Sequence, residues 1–495
     1  MNHHCYAFGG KRLSQGIGVI RTFTFIDSAA RVRACAASRW IALTGVLALA
    51  ACNLGPRYRH PDIPPPPAWR ADEVSGEATW PSADWWRGFS SPQLDTLIDE
   101  AQHTNDDIAA AIARVREADA QARIAGAPLL PAISGTASAT RERELNLATP
   151  GTTTANDFSP LLNASYELDF WGKNRAAYNA ARFAAAASRY DRVTVELTVM
   201  TSVASTFFQA IEAQDRLNVA RDNLASAEKI LKGLRLELTV GTITALDVAQ
   251  QETTVAVLNA SIPPLQQQLL QSIDTLAILV GKPAEEVNIT TGTLADLAEP
   301  QVIPGLPSEL LARRPDVAEA EAQLMSANAS VAVARASFFP SIELTANGGY
   351  ASTALASLFN PASRVFTLTG ELTQPIFEGG QLTGQYAYSK ARYAELLADY
   401  HKTVISAFSN VEDALVSLQQ TALQHERQEV AVAKARRAFD ITQRQFHIGT
   451  INILTVLNTE AALFTAEDAL VQVKYAHLAA LISLYNALGG GWQIA

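Results

Sequence analysis

Phe446-His447-Ile448-Gly449-Thr450-Ile451-Asn452-Ile453-Leu454-Thr455-Val456-Leu457-Asn458-Thr459-Glu460 is the stretch from which the architecture is read, because the chain contains it twice. A shift of 208 residues (449 − 241) lays Leu238 to Glu252 over it. Gly241 then matches Gly449, Thr242 matches Thr450, Ile243 matches Ile451, Leu246 matches Leu454, Val248 matches Val456 and Glu252 matches Glu460. Long helical pattern flanks each copy. A Gly between two helical arms supplies the positive φ that ends the first, and the small polar residues after it cap the second. Each copy therefore predicts the bend of a helical hairpin, at residue 241 and at residue 449.

The repeat reaches beyond the bends. Asp107 to Ala137 lies over Asp316 to Ala346 at a shift of 209 (316 − 107), pairing Pro131 with Pro340, Ile133 with Ile342 and Thr136 with Thr345. Those Pro and Ile matches fall where the pattern turns from helix to strand in both halves, so the order of elements is duplicated. A repeat this long indicates two tandem copies of one supersecondary unit and not a solenoid of short modules. The resulting division is a leader region over 1–51, a linker over 52–90, a first repeat over 91–282, a connecting segment over 283–305 and a second repeat over 306–495.

Within each repeat two stretches switch to a period of two, the mark of strands with one apolar face. They are expected over about 132–144 and 157–170, with a Thr-, Gly- and Asn-rich loop between, and over about 341–351 and 364–377. Phe158, Leu162, Ala164, Tyr166 and Leu168 alternate with Ser159, Asn163, Ser165 and Glu167; Phe366, Leu368, Gly370 and Leu372 alternate with Thr367, Thr369, Glu371 and Thr373. Such strands suit an outer-membrane β-barrel, and equally a soluble sheet lying on a core. The surrounding chain favours the barrel, because the long helices have seams of their own and little apolar surface left to cover a sheet. Four strands cannot close a barrel, and a bare sheet edge in lipid leaves N–H and C=O groups unsatisfied. Several chains must then share one barrel.

Each return strand leads into a helical segment, Lys173 to Thr239 and Gln381 to His447, long enough at about 1.5 Å per residue to span about 100 Å. Leu217, Leu224, Leu231 and Leu238 step by seven, the spacing of coiled-coil packing. After the first bend the pattern continues to about Val280, and Pro263-Pro264 predicts a break or kink within it. Trp80, Trp85, Trp86 and Phe89, ahead of the helix start at Ser91-Pro92, are expected to plug a helix junction.

Arg39 precedes an apolar run from Trp40 to Ala51, too short for a membrane span, that ends in Leu49-Ala50-Ala51-Cys52. This resembles a lipobox, which implies removal of the leader and multiple acylation of Cys52, enough for stable anchoring. Cys5 and Cys35 lie ahead of that cleavage point, so no disulfide is expected within a mature chain. Pro61, Pro64, Pro65, Pro66 and Pro67 favour an extended path suited to a tether. A formal net charge of −10 with scattered basic residues argues against a nucleic-acid surface. No nucleotide loop, zinc motif or nucleophile elbow occurs at usable spacing, so neither an enzyme activity nor a cofactor or metal is expected.

The lipobox, Trp85-Trp86, Leu306-Pro307, Arg313-Arg314-Pro315-Asp316, Phe338-Phe339-Pro340-Ser341, Pro375-Ile376-Phe377 with Gly379-Gly380, and Ala487-Leu488-Gly489-Gly490-Gly491-Trp492 stand in this order. The ordered set, together with the duplication, resembles the TolC family of outer membrane factors, in particular its NodT-type efflux lipoproteins. The resemblance implies a mainly α protein with a membrane β-barrel. In it a homotrimer builds a twelve-stranded barrel, four strands from each chain, above a periplasmic α-helical tunnel. It further implies a passive, gated exit duct for small molecules such as drugs, working with a periplasmic membrane-fusion adaptor and an inner-membrane transporter of RND or MFS type. Export of metal ions or proteins is the alternative within the fold, and a non-conducting envelope scaffold the alternative outside it.

The adaptor would meet the bends at Val240, Gly241, Thr242, Leu246 and Asp247 and at Ile448, Gly449, Thr450 and Leu454. The gate would draw on Leu454, on Asn458, where relatives often carry Asp, and on Asp247, Glu252 and Glu460, whose charges repeated around a pore would favour cations.

Overall fold

The structure is a computed structural model, which describes residues 55–70, 79–145, 152–289 and 292–493. The elements follow one another as α1 (Pro92–Thr104), α2 (Asp106–Gly126), β1 (Ala132–Leu145), β2 (Thr152–Glu167), α3 (Lys173–Thr239), α4 (Ala245–Leu279), α5 (Pro307–Leu310), α6 (Pro315–Ala336), β3 (Ser341–Tyr350), β4 (Arg364–Thr373), α7 (Gln381–His447) and α8 (Ile453–Ala487). The duplication extends to length: α3 and α7 have 67 residues each, and α4 and α8 have 35 each.

Local chemistry explains where these elements begin and end. Ser91 accepts from the Leu94 N–H with Pro92 at the first helical position, and the Asn105 side chain accepts from Asp107 and Ile108, which separates α1 from α2. At the bends the helix-ending hydrogen bonds repeat. Gly241 and Gly449 have φ of 78° and 75°, and their N–H groups donate to the Leu238 and Phe446 carbonyls. Thr242 and Thr450 then donate, through both N–H and Oγ1, to the Glu237 and Gln445 carbonyls. Each bend is therefore a Schellman motif that requires Gly at its left-handed position.

Three sequence expectations are corrected. The Pro263-Pro264 pair does not break α4, which runs through it. Both prolines and the Asn259 and Ala260 carbonyls they leave without N–H partners lie on an exposed stretch, open to water, while Ile262 and Leu265 hold the helix against Leu217 and Ala220. The seven-residue seam of α3 ends early: the buried positions are Leu217, Ala220, Asn223, Ala227, Leu231 and Leu234, and Leu238 is exposed. An α-helix with 3.6 residues per turn drifts away from a strict repeat of seven. The strands also shift, β2 starting at Thr152 because its Thr-rich lead pairs with β1, and β4 stopping at Thr373, two residues before Pro375 and not at 377.

The four strands form one antiparallel sheet in sequence order. The register is free of bulges, so residues sharing a face are read across it. Ile133, Ala164, Ala346 and Leu368 form one row, and Gly135, Leu162, Gly348 and Phe366 the next; the opposite face carries Ser134, Asn163, Asn347 and Thr367. The apolar face is uncovered: Phe366 is 87%, Leu368 77% and Ile133 76% exposed.

The main core lies where the helices converge. Trp85 stacks on Tyr485 at 4.9 Å and Phe89 meets Phe208 edge-on at 5.0 Å, so the aromatics plug the junction of α1, α3 and α8. The connecting segment straps this junction, through the Leu294 N–H to Asp215 and Glu299 to Lys474. Arg314 ties the start of α6 to the Ala487 carbonyl at the end of α8 (2.7 Å), a structural use of that charge. The N-terminal strand of chain is docked and not a free tether. Pro56 accepts from Asn328, Tyr58 and His60 reach Glu321, and Trp69 donates to the Gly305 carbonyl.

Candidate functional site

The free ends of the two helical hairpins gather most of the singled-out residues. Beneath them lies a small core of Leu231, Leu234, Val248, Ile453, Val456 and Leu457, onto which Ile243 and Ile451 fold from the bends. With those two isoleucines turned inward, the other apolar side chains of the bends stay exposed among the described residues. Val240 and Ile448 are each 74% exposed, and Leu246 and Leu454 are exposed as well. Four apolar side chains on two adjacent bends make a patch of the kind that marks a partner surface. A groove of about 350 Å³ opens beside it, lined by Ile230, Gly233, Leu234, Phe439, Phe446 and Val456 among others.

The polar residues of the tips divide by role. Asp247 is half-buried and accepts from the Thr244 N–H and hydroxyl, closing a capping box at the start of α4. Asn452 caps α8 by accepting from the Thr455 N–H. Glu252 is exposed and pairs with Arg235 at 2.7 Å. Asn458 is exposed.

Glu460 departs from the expected charged ring. It is fully buried, inside the packing between α4 and α8, and offers no charge to solvent. Its partner is Gln251, also fully buried, whose Nε2 donates to the Ala227 carbonyl (3.0 Å) and weakly to Glu460 Oε2 (3.4 Å). Gln251 Oε1 and Glu460 Oε1 are buried without a hydrogen-bond partner. Burial pushes the Glu460 carboxyl up to about 7, against a smaller opposing effect of the Gln251 hydrogen bond. A proton on Oε1 would supply the donor that Gln251 Oε1 lacks, making the pair reciprocal.

Sequence reasoning missed Gln251 and misplaced Glu460, because the repeat equates Glu460 with Glu252. The signal was available: Glu460 falls on the apolar stripe Val456, Leu457, Leu463 and Phe464, at helical spacing from each side. Cys52 lies outside the described residues. Among the described residues no group of three His, Cys, Asp or Glu is placed to hold a metal ion, and no helix is long and apolar enough to cross a membrane.

The sheet and the tips are thus two surfaces at opposite ends of the long helices, one apolar and bare on one face, the other a small apolar patch over a capped turn. A family model described as outer membrane efflux protein matches residues 97–282 and 306–490. The pyoverdine export outer membrane protein OpmQ of Pseudomonas aeruginosa is 39% identical over 459 residues, which are 91% of this chain and 96% of that protein. The cation efflux system protein CusC of Escherichia coli K12 is 31% identical over 448 residues, covering 90% and 97%. The crystal structure of the Campylobacter jejuni CmeC outer membrane channel superposes with a TM-score of 0.82 at 26% identity, over 89% of this chain and 96% of that one.

Proposed function

The chain belongs to the outer membrane efflux protein family, and from that premise we propose that it is the outer membrane exit duct of a tripartite pump exporting small molecules. The observation that carries this reading is the sheet: four strands in unbroken register with one apolar face that nothing among the described residues covers. Lipid is the cover that fits. Among the described residues no strand lies beside the outer edges of β1 and β4, and in a bilayer each unsatisfied backbone group costs several kcal/mol. Copies must join edge to edge, and three copies give a barrel of twelve strands, within the range of known barrels.

The polar face, with Ser134, Asn163, Asn347 and Thr367, then lines a wet lumen continuous with the helical tunnel. The bends at Val240 to Asp247 and Ile448 to Leu454 are the docking surface for a periplasmic adaptor, their exposed apolar side chains supporting that role. An inner-membrane transporter supplies the energy, because transport through a duct is passive. In this reading the gate draws on Leu454 and Asn458, both exposed at the tip, while Asp247 and Glu252 are committed to a cap and an ion pair.

Anchoring through Cys52 fits the docked N-terminal segment. Pro56 is held at Asn328, eight residues or about 12 Å before the membrane-side end of α6. The four residues back to Cys52 reach up to about 14 Å, enough to bring acyl chains to the near leaflet.

The test is conductance of the purified protein in planar bilayers, combined with drug and siderophore accumulation in a deletion strain. A detergent-extracted oligomer that never conducts, even with its tip residues altered, would overturn the duct.

A further inference from the structure

Because successive strand residues stand on opposite faces, the run Arg141-Glu142-Arg143-Glu144 near the outer end of β1 sorts its charges by sign. The register carries no bulge, so Arg141 and Arg143 share the face of Ile133 and Leu162, and Glu142 and Glu144 share the face of Ser134 and Asn163. The first face is the one that meets lipid and the second the one that lines the lumen. Arg364, opposite Tyr350 at the outer end of β4, also stands on the lipid-facing side.

The height of these arginines follows from the same register. Along β2 the apolar face runs ten residues, from Leu168, which donates to the Ile342 carbonyl near the helices, to Phe158 opposite Ala139, while on β4 it ends at Arg364, level with Pro160. That is about 33 Å of strand, or about 25 Å of height at the usual barrel tilt, which equals the apolar band of outer-membrane barrels. Arg141, opposite Asn156, and Arg143, opposite Thr154, are the next two outward positions. They therefore sit at the headgroups of the outer leaflet, where a barrel's outer wall meets phosphorylated glycolipid.

Both side chains are exposed, and among the described residues neither lies within ion-pair distance of a carboxylate. Arg143 is steadied by Nε and Nη2 donating to Thr152 Oγ1 at 3.1 and 3.0 Å, and among the described residues no other hydrogen bond engages its guanidinium, so Nη1 can donate outward. A guanidinium presents parallel N–H groups that match a phosphate two at a time. An outward carboxylate at this level would be repelled by phosphate, and the two glutamates are the residues that face inward.

We propose that Arg141 and Arg143 form a binding site on the outer wall of the barrel for the phosphate groups of outer-leaflet glycolipid. The site rests on the reading of the sheet as a membrane wall. It ties the duct to its leaflet and fixes the height of the β1–β2 hairpin in the membrane.

The experiment measures binding of bis-phosphorylated lipid A, of the same lipid with both phosphates removed, and of inorganic phosphate to the purified oligomer in detergent, by native mass spectrometry. Wild type should hold the phosphorylated lipid at least about tenfold more tightly than the dephosphorylated one. R141Q/R143Q should lose that preference and E142Q/E144Q should keep it. Equal binding of the two lipids, an unchanged preference in R141Q/R143Q, or inorganic phosphate binding as tightly as the lipid would each overturn the proposal. Should R141Q/R143Q fail to assemble, R141K/R143K keeps the charge and removes the fork, and a preference equal to wild type in that variant also overturns it. Planar-bilayer conductance of the same samples separates the two readings: a protein that conducts yet shows no phosphate preference refutes this site alone, whereas one that does not enter bilayers refutes the membrane wall.

Discussion

Replacing Glu460 with Gln tests whether the buried pair near the tip is governed by one proton. Burial raises this carboxyl from an ordinary 4.5 to about 7, and no charged neighbour contributes to the shift. The ionisable groups on the turns packed around it are Glu228 and Lys232 on α3, Glu252 on α4, and Arg436 and Asp440 on α7; all are exposed. Glu252 is tied to Arg235 and Arg436 to Glu467. A folded-state pKa above the unfolded one means the packed tip binds the extra proton. Its contribution is present in full below pH 4.5, falls as pH rises, and is gone above about 7. At 1.36 kcal/mol per unit the whole window is worth about 3 kcal/mol as a ceiling, and the part above pH 5.5 about 2 kcal/mol. Amide hydrogen exchange over residues 453–464, corrected for intrinsic pH dependence, reads this directly. Protection in wild type should fall about 30-fold between pH 5.5 and 8.5. In E460Q, whose amide can donate to Gln251 Oε1 at any pH, protection should be flat and should exceed wild type at pH 8.5. A flat wild-type profile, or an E460Q profile parallel to wild type, would show that Glu460 is not the titrating group.

Three further outcomes follow from the geometry. If the apolar face meets lipid as proposed, Leu368→Arg on it should cost about 2–4 kcal/mol and prevent recovery of a stable oligomer from membranes, whereas Thr367→Arg, one residue away on the other face, should assemble and change only single-channel conductance. Gly449→Ala places a Cβ at φ 75° and should lower local stability at the second bend by about 1–2 kcal/mol, measured by exchange of the flanking helix ends. The paired change Val240→Asp and Ile448→Asp, at sites already exposed, should shift folding stability by less than about 0.5 kcal/mol yet abolish cross-linking to a periplasmic adaptor; retention of cross-linking would move the docking surface elsewhere.

What the sequence disclosed and what it hid have a common cause. Gly241 and Gly449, the Pro ends of α2 and α6, and the alternation of the strands were legible because each is a local backbone requirement written in neighbouring residues. The start of β2 at Thr152 was not, because a polar Thr-rich run becomes a strand only by pairing with β1. The continuity of α4 through Pro263-Pro264 also depends on partners far away in sequence, Leu217 and Ala220, that hold both sides of the defect. The roles of the acidic residues were the least legible. Whether a carboxylate faces solvent, a cap or a core is decided by rotation of one helix against another, and Asp247, Glu252 and Glu460 end in three different environments.

That divergence carries the remaining mechanistic point. The two bends share their Schellman bonds and their threonine reinforcement. Their interiors differ. Gln251 sits where the second repeat has Thr459, and Glu460 sits where the first has Glu252, so the contact between hairpins contains one amide and one carboxyl instead of a symmetric pair. Two buried oxygens without partners in an otherwise apolar layer of Ala227, Leu463 and Phe464 leave this level of the tip short of hydrogen bonds. Movement of one hairpin against the other should begin there. The turns themselves would stay intact, which leaves the exposed Val240 and Ile448 surface unchanged while the helices behind it separate.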